Sequence, residues 1–160
     1  MKKIIIFLII LVVLAAGVFV VKNRILKKGT AHPVLPPPVG AEYVAGTYTD
    51  SLAIDGRTRT YLLHIPSGYQ TNKSYPLVAL FHGGGGSGAK IISQTGFAEK
   101  ADKEGFILIA PDGIDHNWND GRDTTDAYKQ DIDDVKFVRT LLEHLKTKLL
   151  IDPNRIYATG

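Results

Sequence analysis

Cysteine is absent from the 160 residues, and methionine and tryptophan occur once each. The lack of cysteine excludes a disulfide framework, a zinc-thiolate centre, a cysteine nucleophile and a lipobox-type lipid anchor. Acidic residues are missing from the first 28 positions, where Lys2, Lys3, Lys22, Arg24, Lys27 and Lys28 stand without a counter-charge. The formal net charge of +3 therefore has a local origin: the remainder carries 19 − 6 = 13 basic against 16 acidic residues, or −3. A mildly acidic body lacks the basic surface of a nucleic-acid-binding domain, so no nucleic-acid partner is expected. No repeat of 20 to 50 residues is present, which excludes solenoids and propellers. With 44% hydrophobic and 22% charged residues, the chain is also too apolar for a disordered protein.

What the chain does contain is divided into three parts. Residues Ile4 to Val21 form an unbroken apolar run, about 27 Å long as a helix and close to the thickness of a bilayer core. Val18-Phe19-Val20-Val21 continues the run past the small residues Ala15-Ala16-Gly17, so residues 1–28 read as an uncleaved signal anchor with basic flanks. The membrane is then a partner through Ile4–Val21, and the domain is extracytoplasmic; cleavage would make it secreted. Residues 29–47, with Pro33, Pro36, Pro37 and Pro38, read as an extended proline-rich tether. The folded domain is expected over 48–160.

Within that domain, Leu52–Ile54 and Thr58–Ile65 flank Asp55-Gly56, the signature of a tight hairpin. Pro76–Phe81 and Phe106–Ala110 are continuous apolar runs, as in strands buried on both faces of a parallel sheet. A helix is expected over Gln94–Lys103, stopped by Gly105, and another from Asp131 to Leu149, with acids in its first turn and lysines in its last. Asp152-Pro153 is expected to break the chain before a final strand at Arg155–Thr159. Strands alternating with helices indicate an α/β fold.

His82-Gly83-Gly84-Gly85-Gly86-Ser87-Gly88 follows a buried strand and precedes a helix, where α/β folds present backbone to ligands. As a P-loop it fails, because Ala89 stands where lysine is required. Gly83, Gly85 and Gly88, with Asp112 at the end of the next strand, satisfy a dinucleotide fingerprint, so an NAD-type oxidoreductase is an alternative. The third reading is an oxyanion loop of the HGGG type, formed by His82, Gly83, Gly84 and Gly85. Ser87 misses the G-x-S-x-G context and reads as a loop or N-cap residue. Asp115–Gly121 nearly copies a calcium loop, but its glycine is seventh instead of sixth and no helix precedes it, so no metal site is expected. Trp118 flanks an acyl pocket or simply packs, and His116 lies at the pocket rim or faces water. Together with Asp112 they are the substrate-pocket candidates.

An ordered set of motifs now stands out: Arg59–Pro66, the Tyr75–Gly88 strand and loop, Pro111-Asp112-Gly113, Trp118-Asn119-Asp120-Gly121, Asp133–Phe137 and Asp152–Gly160. In this order they resemble the α/β-hydrolase esterases that include polyhydroxybutyrate depolymerase-like and feruloyl esterase-like proteins. The resemblance implies an α/β-hydrolase fold and a serine carboxylic-ester hydrolase acting without a cofactor on a polyester, a feruloyl sugar or a short-chain ester. It further implies that Gly160 is the first glycine of G-x-S-x-G, with the nucleophile two residues later and the acid and histidine beyond it. The 160 residues are then expected to be the N-terminal part of a longer hydrolase, holding the oxyanion loop but no Ser-Asp-His triad, and inactive alone. The non-enzyme alternative is a membrane-anchored ligand-binding remnant.

Overall fold

The computed structural model describes residues 34–35 and 43–160. Among them, six strands form one sheet: β1 (Val34–Leu35), β2 (Gly46–Ile54), β3 (Arg57–Ile65), β4 (Tyr75–Leu80), β5 (Ile107–Pro111) and β6 (Ile151–Thr159), in the order β1-β2-β3-β5-β4-β6. The helices are α1 (Gly88–Thr95), α2 (Phe97–Glu104), α3 (Asp126–Lys129) and α4 (Asp134–Lys146). The Ile4–Val21 anchor and most of the tether lie outside the described residues. No described helix is long and apolar enough to cross a membrane.

The hairpin forms as its sequence dictates. Asp55 and Gly56 both take positive φ, 51° and 73°, so the turn twist matches the strands, and Ile54 pairs with Arg57 across it. β3 then runs antiparallel to β5, while β4 lies parallel to both β5 and β6. The chain leaves β4 to form β5 on one side and returns to form β6 on the other. The carboxyl end of β4 is thus a topological switch point, where a crevice opens between diverging connections. His82–Gly88 begins there.

Side-chain alternation in the central strands builds a core on each face. Tyr61, Leu63, Leu77, Ile107 and Ile109 pack with Phe137, Leu141 and Leu145 of α4. Leu62, Leu80, Leu108 and Ala110 pack with Ala101 of α2, and Ile91, Ile92 and Phe97 join them. This double coverage is why β4 and β5 read as continuous apolar runs.

Four sequence expectations are corrected. The helix expected over Gln94–Lys103 is two helices beginning at Gly88, because Gly96 turns left-handed (φ 67°), closing α1 and opening α2. α4 starts only at Asp134, since Asp131 has φ 51° and Asp133 caps the helix by accepting from the Lys136 N–H. Asp152-Pro153 does not break the final strand. A register shift, Tyr75 with Ile151 and then Leu77 with Ile156, absorbs the proline in a bulge, which frees it from the ladder. The tether also enters the sheet: Val34 and Leu35 pair in parallel with Thr47 and Tyr48, and Tyr43, ahead of the expected boundary at 48, is buried.

At the start of the sheet, Asp50 accepts from the hydroxyls of Tyr43 (2.7 Å) and Tyr61 (3.0 Å) and from the Ser51 N–H. Burial pushes its carboxyl up, but those donors and the charge of Lys148 outweigh burial and hold it below the ordinary carboxylate range. Burial and the Asp50 charge push both phenols up. A carboxyl depressed in the folded state stabilises the fold above its unfolded pKa, and the contribution disappears as pH falls through the folded value. Asp50→Asn is therefore expected to flatten the acid limb of a Tm–pH profile. Phe137→Ala is expected to cost about 3–5 kcal/mol in a urea melt, because that ring is fully buried between α4 and the sheet.

Candidate active site

The glycine loop is held from three sides, and its hydrogen bonds can be followed group by group. Ser87, extended at φ −156°, caps α1 by accepting from the Lys90 N–H, the second of the two roles, loop or N-cap, expected from sequence. Gly88 starts the helix against β5. A Cβ there would lie 2.3 Å from the Ala110 carbonyl oxygen, so no larger residue fits. Its N–H donates to Asp112 Oδ1 at 2.7 Å, and Asp112 Oδ2 accepts from the Thr60 hydroxyl at 2.7 Å. Both carboxylate oxygens of Asp112 are occupied in joining the loop to β3. That role differs from holding a ribose hydroxyl, the one a dinucleotide site requires.

His82 is buried and bonded at both ring nitrogens. The Gly113 N–H donates to Nε2 at 3.1 Å, which requires the proton on Nδ1, and Nδ1 donates to the Gly83 carbonyl at 2.8 Å. The imidazole thus orients the loop and carries no free nitrogen for proton transfer. Trp118 lies against it, ring centroids 4.9 Å apart, and meets Phe81 edge-on at 5.5 Å. Its indole N–H donates to the His82 carbonyl at 2.9 Å. The half-buried Trp118 is a packing and tethering residue for the loop.

Opposite the loop, Ile114–Asn117 makes a tight turn in which Asp115 (φ 48°) and His116 (φ 63°) both adopt the left-handed region without glycine. Such positions are strained and persist only where neighbours hold them. Here the neighbour is the glycine loop: Gly85 N–H donates to the His116 carbonyl at 2.9 Å, and His116 Nδ1 donates to the Gly86 carbonyl at 2.9 Å. His116 is exposed at the rim while its backbone and ring clamp the loop.

These bonds narrow the set of available donors. Gly85 N–H is engaged by His116, Gly86 N–H by the Gly83 carbonyl at 3.0 Å, and Gly88 N–H by Asp112. Among the described residues, the N–H groups of Gly83 and Gly84 donate to no protein acceptor. Two adjacent free N–H groups on a clamped loop at a sheet switch point can receive an anionic oxygen. Beside them lies a cleft of about 210 Å³, walled by His82, Gly83, Gly84, Gly86 and Ser87 and by Lys90, Ile91 and Gln94 of α1. Trp118, Asp112 and His116 do not line this cleft; they support its walls. Lys90 and Gln94 were not legible as site residues, because only the helix start at Gly88 turns them toward the loop.

A second network backs the first. Arg59, buried in β3, donates to Asp134 Oδ1 at 2.6 Å and to the Asp112 carbonyl at 3.1 Å, with its guanidinium 4.0 Å above the Phe137 ring. Asp134 Oδ2 accepts from the Asn119 N–H at 2.7 Å, next to Trp118. From sequence Asp133 and Asp134 looked alike. Asp133 caps, but Asp134 is the counter-ion of a buried arginine, a role that depends on two strands and a loop far apart in sequence. Among the described residues, no group of histidine and acidic side chains is arranged to hold a metal ion.

Removing the Asp112 carboxylate leaves the Gly88 N–H without its acceptor. Asp112→Ala is expected to cost about 1–3 kcal/mol in chemical denaturation. It is also expected to accelerate hydrogen exchange at Gly88 while exchange at the centre of β4 follows only the global loss.

No protein-family model matches the chain. Over 150 residues it is 29% identical to NocK of Nocardia uniformis subsp. tsuyamanensis, which carries an esterase name, covering 81% of this chain and 44% of that protein. Over 106 residues it is 34% identical to feruloyl esterase B of Piromyces equi, covering 64% of this chain and 19% of that protein. The chain thus spans less than half the length of these curated relatives. Among solved structures, a ferulic acid esterase from Anaeromyces mucronatus, in complex with ferulic acid, superposes with a TM-score of 0.51 at 20% identity, covering 77% of this chain and 50% of that one. That last likeness concerns the fold. In its ordered motifs, its sequence relatives and its sheet, the chain resembles the α/β-hydrolase esterases of the feruloyl esterase kind.

Proposed function

We propose that these residues form the oxyanion-binding half of a serine carboxylic-ester hydrolase. The observation that carries this reading is the pair of N–H groups at Gly83 and Gly84 that have no acceptor among the described residues, on a loop fixed by His82, Asp112, His116 and Trp118 at the carboxyl end of β4. When a serine attacks an ester carbonyl, the oxygen gains negative charge. Donors already aimed at it lower the barrier without reorganisation, each typically worth ~10²–10³ in rate. Among relatives named as esterases, this is the chemistry the loop fits best, and the doubly engaged Asp112 disfavours the oxidoreductase alternative.

The nucleophile, on this reading, follows Gly160 in a G-x-S-x-G elbow. Support comes from Gly160 itself: it closes β6 beside β4, where Phe81 N–H donates to the Thr159 carbonyl at 2.8 Å. A Cβ at Gly160 would stand 2.5 Å from the Phe81 carbonyl oxygen. Only glycine fits there, packed on Phe81, the residue that precedes His82. The ester is a feruloyl sugar, a polyester or a short-chain ester. The histidine and acid of the triad also lie beyond Gly160, and residues 1–160 alone are inactive. The Ile4–Val21 run anchors the domain on the extracytoplasmic side of a membrane.

A polypeptide extended past Gly160 by its own coding sequence is expected to hydrolyse methyl ferulate or a p-nitrophenyl ester. Alanine at the serine two residues after Gly160 is expected to abolish turnover, and the 160-residue chain is expected to match a heat-denatured control. Turnover by the 160-residue chain, or an extension without that serine, overturns the reading.

A further inference from the structure

The cleft beside the loop has a one-sided electrostatic character. Its walls supply the free Gly83 and Gly84 N–H groups, the first turn of α1 and the Lys90 side chain, and none of its lining residues is acidic. Lys90 is exposed, and its ammonium, like those of Lys73, Lys100 and Lys148, makes no ion pair with a described residue, whereas Lys103, Lys129, Lys136 and Lys146 each face a carboxylate. Its own backbone is committed to the helix start, the N–H to Ser87 and the carbonyl to the Ser93 hydroxyl. The base of the side chain is therefore fixed while its charged end is available. Ile91 adds an apolar surface and Gln94 a neutral amide.

We infer that Lys90 selects esters that carry a carboxylate away from the scissile bond, such as half-esters of dicarboxylic acids, over neutral esters of the same size. The reacting carbonyl would sit at Gly83 and Gly84, the aliphatic link against Ile91, and the distal carboxylate at the Lys90 ammonium. This assignment rests on the oxyanion reading of Gly83 and Gly84 and adds to it the charge of the substrate. Lys90 here is a specificity residue that touches the substrate away from the reacting atoms. An exposed ammonium–carboxylate contact gives a modest preference, about two- to fivefold in affinity at low salt, and screening reduces it as ionic strength rises.

The test uses the ¹⁵N-labelled 160-residue chain in a neutral detergent, titrated with monomethyl succinate and, separately, dimethyl succinate. The expected result is movement of the Gly83, Gly84 and Lys90 amides with both probes. The half-ester should bind about two- to fivefold more tightly at low salt, with the difference lost in 0.5 M NaCl. Lys90→Gln should equalise the two probes, and Lys90→Arg should retain the preference, which separates charge from folding. Equal affinities in the parent chain, or a preference that survives Lys90→Gln, overturn the assignment. Those outcomes leave the hydrolase reading intact, since that reading is tested separately, by the serine that follows Gly160 and by ester turnover with and without it.

Discussion

An arginine only 3% exposed must have its charge compensated, and the way Arg59 meets that demand fixes the rest of the molecule. It sits on β3 and takes Asp134 from the start of α4 and the Asp112 carbonyl from the end of β5. β3 is thereby held at one point to two elements that lie 53 and 75 residues further along the chain. Its Nε has no partner among the described residues, so the arrangement is maintained at some cost in unsatisfied hydrogen bonding. Asp134 passes the constraint to Asn119, Trp118 stands next in the chain, and its indole reaches the His82 carbonyl. The buried ion pair and the glycine loop are thus linked through the Trp118–Asn119 backbone.

The network matters because the loop has no side chains with which to hold itself. Four consecutive glycines give backbone access at the cost of conformational entropy, and that entropy has to be offset from outside. The His82 imidazole, the Asp112 carboxylate and the Ile114–Asn117 turn supply the compensation. The strained φ values at Asp115 and His116 belong to the same device, since their turn brings the His116 carbonyl to Gly85 and its ring to Gly86. Every loop N–H engaged in this way is removed from chemistry. The N–H groups of Gly85, Gly86 and Gly88 are engaged, whereas those of Gly83 and Gly84 have no acceptor among the described residues.

Much of the fold was legible in the sequence, and for identifiable reasons. Asp55-Gly56 forces a hairpin, and Pro76–Phe81 and Phe106–Ala110 are too apolar to face water on either side. The helical spacing of Phe137, Leu141 and Leu145 announces a buried stripe. Where the reading failed, local signals competed with packing. Gly96 looked tolerable inside one helix but ends it, and Pro153 looked like a break but sits in a bulge where no ladder N–H is needed. Val34 and Leu35 looked like tether, since nothing local reveals that Thr47 and Tyr48 offer a free edge.

The candidate site divides the same way. Composition and order alone placed the glycine loop after a buried strand and narrowed Ser87 to a loop or N-cap residue, because backbone freedom and capping are local properties. Long-range geometry decided which N–H groups are engaged, joined Asp112, His116 and Trp118 to the glycine loop by hydrogen bonds, and brought Lys90 to the cleft. Sequence determines which residues can do chemistry through their side-chain types and local conformational preferences. Only the tertiary structure assigns the hydrogen bonds among distant residues, and here those bonds separate the groups that hold the site from the groups left to act.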